Sequence, residues 1–280
     1  MPLGTIILLG AFAGLTIYLG LPIVFLRRAP QSLKMFLNMV TAGILVFLLF
    51  DITVKVGEPI SGALKQIYAQ HTGIGPFILD IFLFILGTTL GSVGLVYFNC
   101  IVFGQMLVND IIPPEVEKTP GSRIFSEKCE LTPRVLALLI AAGLGLHNFS
   151  EGLAIGQAAT NGALHLALTL IVGFGLHNMT EGFGIAAPLA GLRVTWSFVG
   201  LLGLIGGGPT FLGTVTGIVF NSPQVFILFL ALAAGAIIYV IVELLGIARR
   251  SATPRLIVGG LLLGFLFSYA TDLIITYGGA

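Results

Sequence analysis

Two stretches of this chain carry the same chemistry-bearing phrase. GLGLHNFSEGLAIG occupies 143–156 and GFGLHNMTEGFGIA occupies 173–186; they begin 30 residues apart and agree at eight of fourteen positions. In each, a His is followed at once by an Asn and, four residues on, by a Glu: His147, Asn148 and Glu151, then His177, Asn178 and Glu181. On a helix each residue turns by about 100°, so the Glu falls about 40° from its His and between the His and the Asn. Each Glu can therefore share one ion with its His and lean toward a second ion held by the Asn. Imidazole with carboxylate is a borderline ligand set, suited to Zn²⁺, Fe²⁺, Mn²⁺ or neighbouring ions. The phrase holds no thiolate for Cu(I), Met179 falls about 200° around the helix from His177, and Ca²⁺ or Mg²⁺ would favour an all-oxygen cage.

The elements that must position these residues are apolar. Of 280 residues 56% are hydrophobic and 9% charged, with a mean hydropathy of +1.06, whereas a soluble domain carries about 25% charge. Runs this long and continuous predict membrane-spanning helices rather than a barrel, whose strands would alternate. Eight spans are expected, at 3–25, 33–56, 75–103, 134–157, 164–188, 195–220, 224–247 and 255–277. The fold class is thus an all-α polytopic membrane protein with one transmembrane domain, and 104–133 is read as a cytoplasmic loop. The net charge of +1 implies no nucleic-acid partner. Cys100 and Cys129 form no CxxC pair and read as inert thiols. The first apolar run has no basic residue before it, so no cleavable signal peptide is expected.

With alternating spans, one set of loops holds eleven Lys and Arg and the other only Lys55 and Lys65. The positive-inside rule then places both termini outside. Six acids fall within or at the ends of spans: Asp51, Asp80, Glu151, Glu181, Glu243 and Asp272, and no basic residue is expected mid-span to neutralise them. A charged group in the bilayer centre costs about 2.5–3.5 kcal/mol even on the lenient insertion scale. An all-acidic membrane interior fits a cation or proton path and argues against an anion carrier. Asp51 and Glu243 read either as pathway residues or as helix-end carboxylates; Asp80 and Asp272 read as interface residues near the outer ends, and His71 and His165 as solvated.

Two internal echoes bear on organisation. The phrase recurs on spans 4 and 5, which run oppositely and so can face each other at one depth. AGILVFLLFD (42–51) in span 2 also matches AGAIIYVIVE (234–243) in span 7, each with an acid eight residues after the Gly. This is the pattern of an inverted repeat, spans 1–3 against 6–8 around antiparallel spans 4 and 5. Glycines at 143, 145, 152, 173, 175 and 182 flank the phrases and suit close helix packing.

HNFSEG and HNMTEG, in the fourth and fifth of eight spans, resemble the paired signature of the ZIP family of divalent metal transporters, in its prokaryotic form. The resemblance extends over all eight spans; the two phrases are its specific part. It implies import of a divalent metal, Zn²⁺ foremost and also Fe²⁺, Mn²⁺ or Cd²⁺, into the cytoplasm. His147, Glu151, His177 and Glu181 would form the principal site, with Asn148 and Asn178 as ligands of an adjacent one. Asp51 would lie on the external approach and Glu243 toward release. The metal would be cargo, with no prosthetic group, and spans 1, 4, 5 and 6 would slide against the others. A prokaryotic plasma membrane and a possible homodimer are part of the same expectation.

The chain also departs from the family pattern. Ser150 and Thr180 replace the Pro often found before each Glu, Gly208 stands where a Glu would precede Pro209, and Asn178 where some members have Asp. One main metal per protomer is the resulting expectation. Rivals from other classes are a proton-coupled carrier of another substrate, a passive metal channel, and an intramembrane metalloenzyme. The last would show HExxH with its basic Glu beside the first His; here that neighbour is Asn, so no enzyme is expected.

Overall fold

Proline and hydroxyl residues punctuate the chain where its helices begin. Thr132-Pro133, Ser222-Pro223 and Thr253-Pro254 each open a helix. A proline at the first helical position surrenders only an N–H that would have had no partner, and a hydroxyl before it can accept one of the others. Thr132 Oγ1 accepts from Val135 N at 3.3 Å and Ser222 Oγ from Val225 N at 3.4 Å.

The computed structural model describes residues 2–25, 30–98, 132–160, 164–220, 222–251 and 253–278. Among them there is no strand. Helix α1 (Leu3–Phe25) is built of Leu3–Leu15, Ile17–Gly20 and a 3₁₀ turn, Leu21–Phe25. It is followed by α2 (Gln31–Gln70), α3 (Ile74–Phe98), α4 (Pro133–Thr160), α5 (Leu164–Ala186), α6 (Trp196–Val219), α7 (Pro223–Ser251) and α8 (Pro254–Gly278). Seven of these, all but α5, are long and apolar enough to cross a membrane. α5 has the length, but His177, Asn178, Thr180 and Glu181 lower its hydropathy. The chain is therefore a helical, membrane-embedded protein. The expected 104–133 loop lies, except for Thr132 and Pro133, outside the described residues.

One expected span needs correction. The second was placed at 33–56, and the helix runs for 40 residues to Gln70, through Pro59. At 1.5 Å per residue this is about 60 Å, twice the hydrocarbon thickness. Hydropathy reported where the apolar run stops, but Ala63, Leu64, Lys65 and Gln66 are good helix formers and carry the helix onward. It ends at His71, whose φ of 52° is left-handed and whose N–H reaches Ile67 O at 3.0 Å. Lys55, counted with the loop charges although it falls within 33–56, thus lies well inside α2.

Helix α4 lies at the centre. Leu136, Ile140 and Leu144 are buried in one cluster with Leu45, Leu48 and Ile52 of α2 and Ile237 and Leu244 of α7. Leu8, Phe12, Phe82, Ile85, Val258 and Leu262 of α1, α3 and α8 are exposed, an outward apolar surface suited to lipid. In hydrocarbon no hydrophobic gain drives helices together, so close packing must do so. The phrase glycines supply it. A methyl group on Gly152 would collide with the Thr210 carbonyl of α6, and one on Gly213 with the Phe149 carbonyl of α4. Gly182 of α5 and Gly20 of α1 meet the carbonyls of Ile17 and Met179 in the same reciprocal way. The two helices that carry the phrases are thereby clamped, one by α6 and the other by α1.

Candidate metal site

The two phrases meet inside the bundle. His147, Asn148, Glu151, His177, Asn178 and Glu181 are each at most 4% exposed. The imidazole centroids of His147 and His177 lie 6.0 Å apart, with the rings tilted by 58°. His147 Nε2 is 3.1 Å from Glu151 Oε1, and His177 Nε2 is 3.5 Å from Glu181 Oε1. The first contact is short but misaligned, so neither imidazole has a hydrogen-bond partner on either nitrogen. His147, Glu151 and His177 each offer a ligand atom within 4.8 Å of the others, a group that could hold a metal ion.

Glu181 stands one step aside. Asn148 Nδ2 donates to Glu181 Oε2 at 2.7 Å and to the Gly206 carbonyl of α6 at 3.0 Å. The link is between helices, where the wheel of a single helix had paired each Asn with its own Glu. Asn178 turns its amide the other way, donating to the Ala13 carbonyl of α1 at 3.0 Å. Ala13 sits beside the break in α1, where Thr16 Oγ1 lies 2.6 Å from both the Ala13 and the Gly175 carbonyls. Both Asn side chains therefore spend their nitrogens on backbone or carboxylate and leave their oxygens bare. Thr180, where the family pattern would have Pro, folds its hydroxyl back onto the His177 carbonyl at 2.7 Å.

Among the described residues, thirteen buried side-chain nitrogens and oxygens have no hydrogen-bond partner; eight belong to this group. They are both nitrogens of each His, Asn148 Oδ1, Asn178 Oδ1, Glu151 Oε2 and Glu181 Oε1. Leaving a buried polar atom unpaired costs about 1–3 kcal/mol, and native structures hold few such atoms. Each imidazole can turn one of its two nitrogens to a metal while the other keeps its proton, and the remaining four atoms are oxygens, so the group offers a mixed nitrogen and oxygen donor set for a cation.

The remaining candidates behave differently. Asp51 was expected without a basic partner, but α2 continues past it and brings Lys55 Nζ to 2.6 Å from its Oδ2. Asp51 still lies within electrostatic reach of both histidines. Glu243 is partly buried on α7 and is not one of the three grouped residues. Asp80, expected at the interface, is buried at 4% exposure. It lies two helical turns before Gly87, which meets Ala231 of α7, and so shares the inward flank of α3, which hydropathy cannot report. Asp272 is partly exposed, and His71 and His165 are exposed.

Sequence reading missed the carbonyls of Ala13 and Gly206, which no side-chain pattern marks, and it missed Lys55. Asp51 and Lys55 both fall inside the expected 33–56 span at the i,i+4 spacing of a helical ion pair, a signal passed over when Lys55 was counted with the loop charges. A scan against protein-family models finds no match for this chain, and a search of curated proteins finds none either.

Proposed function

We propose that this protein carries divalent transition-metal ions, Zn²⁺ foremost, across a lipid bilayer into the cytoplasm by way of the His/Glu cluster between α4 and α5. The observation that carries this reading is the set of eight partnerless donor atoms gathered on two facing helices. A cation would take one nitrogen of each His and the carboxylate and amide oxygens that reach it, whereas a packing role would leave these acceptors unpaired. The group that fits most tightly is His147, Glu151 and His177, with Glu181 able to join by releasing Asn148. The metal is cargo, and no catalysis is proposed.

Several features support the finer reading. α5 counts as an eighth span because the polar residues that lower its hydropathy are buried within the bundle, His177 and Glu181 against α4 and Asn178 against α1. The inverted repeat gains a packing argument. If α1–α3 correspond to α6–α8, the α3–α7 contact must have the α8–α2 contact as its image, and both pairs pack closely. Gly87 and Gly91 of α3 meet Ala231 and Leu232, as Gly260 and Gly264 of α8 meet Met39 and Val40. Gly235 meets Thr88 as Gly43 meets Leu261, and these two glycines head the echoed segments that end at Glu243 and Asp51. The resemblance to the ZIP family agrees with this arrangement. So does a grouping of α1, α4, α5 and α6, locked by glycine contacts, that slides against the remaining helices. Both termini lie outside in this reading, with Asp51 on the approach and Glu243 toward release. With Gly208 and Asn178 in place of acids, one metal is carried per protomer.

The test is uptake of Zn²⁺, Fe²⁺, Mn²⁺ and Cd²⁺ into liposomes holding the purified protein. Saturable uptake that disappears in His177→Ala and in Glu151→Gln supports the proposal. Wild-type protein that moves none of these ions, or His177→Ala moving them at the wild-type rate, overturns it. Flux that survives loss of both histidines but not of the glutamates would favour a proton-coupled carrier instead.

A further inference from the structure

Among the described residues, the basic side chain tied to an acid on the approach to the cluster is Lys55. Phe174 lies three residues before His177 on α5, toward the end that the positive-inside bias places outside. Lys55 Nζ sits 5.7 Å from the centroid of its ring while holding Asp51 at 2.6 Å. A cation over an aromatic face at this distance is attracted by the ring. Glu151 and Asp272 add weaker attraction to the ammonium. Lys55 thus holds an acid of the approach and caps an aromatic ring of the helix that carries the second phrase. Its side chain is 32% exposed, so the flexible stem is free to swing its head away.

An ordinary helical ion pair would explain the Asp51 contact alone, since an acid four residues before a lysine is the favoured order. It does not explain why the ammonium also caps an aromatic ring of another helix beside the cluster. The register on α7 that corresponds to Lys55, four residues after Glu243, is Ile247. The lysine is therefore particular to the α2 copy, and with it to one mouth.

Resting on the transport reading above, we propose that Lys55 is a specificity-determining residue, a tethered monovalent cation that occupies Asp51 until a divalent ion displaces it. The physical reason is a charge balance. An arriving Na⁺ or K⁺ that replaces the ammonium at Asp51 exchanges one unit charge for another and gains nothing. A divalent ion exchanges two charges for one and gains the attraction of Asp51, Asp272 and Glu151 together. The lysine therefore filters by charge, at the cost of weaker attraction for every cation.

The experiment measures Zn²⁺ uptake by liposomes holding the full-length protein, wild type against Lys55→Gln and Lys55→Arg. Freed of its lysine, an acid-lined mouth concentrates cations, and the KM of Lys55→Gln falls about tenfold. At constant ionic strength, replacing a bulky organic cation by Na⁺ then inhibits Lys55→Gln and leaves wild type unmoved. Lys55→Arg restores both the KM and the indifference to Na⁺, which a loss of packing would not. If wild type takes up Zn²⁺ but Lys55→Gln keeps its KM and its indifference to Na⁺, the filter is overturned and the transport reading stands. Equal shifts in Lys55→Arg and Lys55→Gln overturn it too, as packing effects. If wild type moves no metal, the transport reading fails and the filter falls with it.

Discussion

Asn148 is the residue at which the geometry makes its sharpest demand. Its amide nitrogen is divided between Glu181 Oε2 at 2.7 Å and the Gly206 carbonyl at 3.0 Å, and the residue is fully buried. Asn148→Ala removes a hydrogen bond to a carboxylate, worth about 1.5–3 kcal/mol, and one to a carbonyl, worth about 1 kcal/mol. It leaves Glu181 with neither oxygen hydrogen-bonded to the protein. The two losses share one donor and do not add fully, so the metal-free protein should lose about 2–3 kcal/mol. Asn148→Asp removes the same donor and sets a second carboxylate against the first. That conflict is relieved only by a cation, so Asn148→Asp should be the less stable variant without metal and the one that gains most from it. The assay is thermal unfolding of the detergent-solubilised protein with and without Zn²⁺. A ligand at one hundred times its Kd adds about 2.7 kcal/mol, which a melting curve resolves. Wild-type melting of Asn148→Ala, or an Asn148→Asp protein that gains no more from Zn²⁺ than wild type, would refute the assignment of Asn148 as the keeper of Glu181.

Other changes test separate parts of the structure. Gly152→Val forces a side chain onto the Thr210 carbonyl and should cost at least about 1–3 kcal/mol as overpacking; it is read as a lower melting temperature together with lost uptake. Tyr18→Phe loses the bond from the Tyr18 hydroxyl to the Gly200 carbonyl at 2.8 Å and should cost about 1 kcal/mol with uptake preserved. Glu151→Gln keeps the shape of the cluster but removes its charge, and equilibrium Zn²⁺ binding should weaken by at least about 10–100-fold. Thr16→Val strips the hydroxyl from the carbonyls of Ala13 and Gly175; hydrogen exchange should quicken around the break in α1, and an unchanged exchange pattern would show that the break does not depend on it.

The site was legible because its residues are expensive where they stand. His147, Glu151, His177 and Glu181 in apolar helices, written twice at one spacing, marked a candidate site, and the helices bring His147, Glu151 and His177 within ligand distance of one another with Glu181 one step aside. The helix starts were legible too, since Thr132-Pro133 and Ser222-Pro223 are capping dipeptides whatever the solvent. What escaped the sequence was anything set by a neighbour. The length of α2 depends on local helix propensity beyond the apolar run, and Lys55, near the end of that run, was counted with the loop charges, which left Asp51 without its partner. Asp80 is buried on the flank of α3 that it shares with Gly87, two turns on, which meets Ala231 of α7, and hydropathy alone does not report such a neighbour. The Asn side chains were aimed by the wheel of a single helix, whereas Asn148 answers to Glu181 and Gly206 on two other helices, and Asn178 to the Ala13 carbonyl at a break in α1. Backbone acceptors carry no signature in a sequence.

The claim on which the account rests is that the cation is held by imidazoles and carboxylates of both phrases together. X-ray absorption at the zinc edge, on purified protein loaded with one Zn²⁺, reads this directly. Two imidazoles should appear in a nitrogen/oxygen shell at about 2.0–2.1 Å with no sulfur, and His177→Ala should lose one of them. A shell of oxygens alone, a sulfur shell at about 2.3 Å, or a spectrum that His177→Ala leaves unchanged would contradict it.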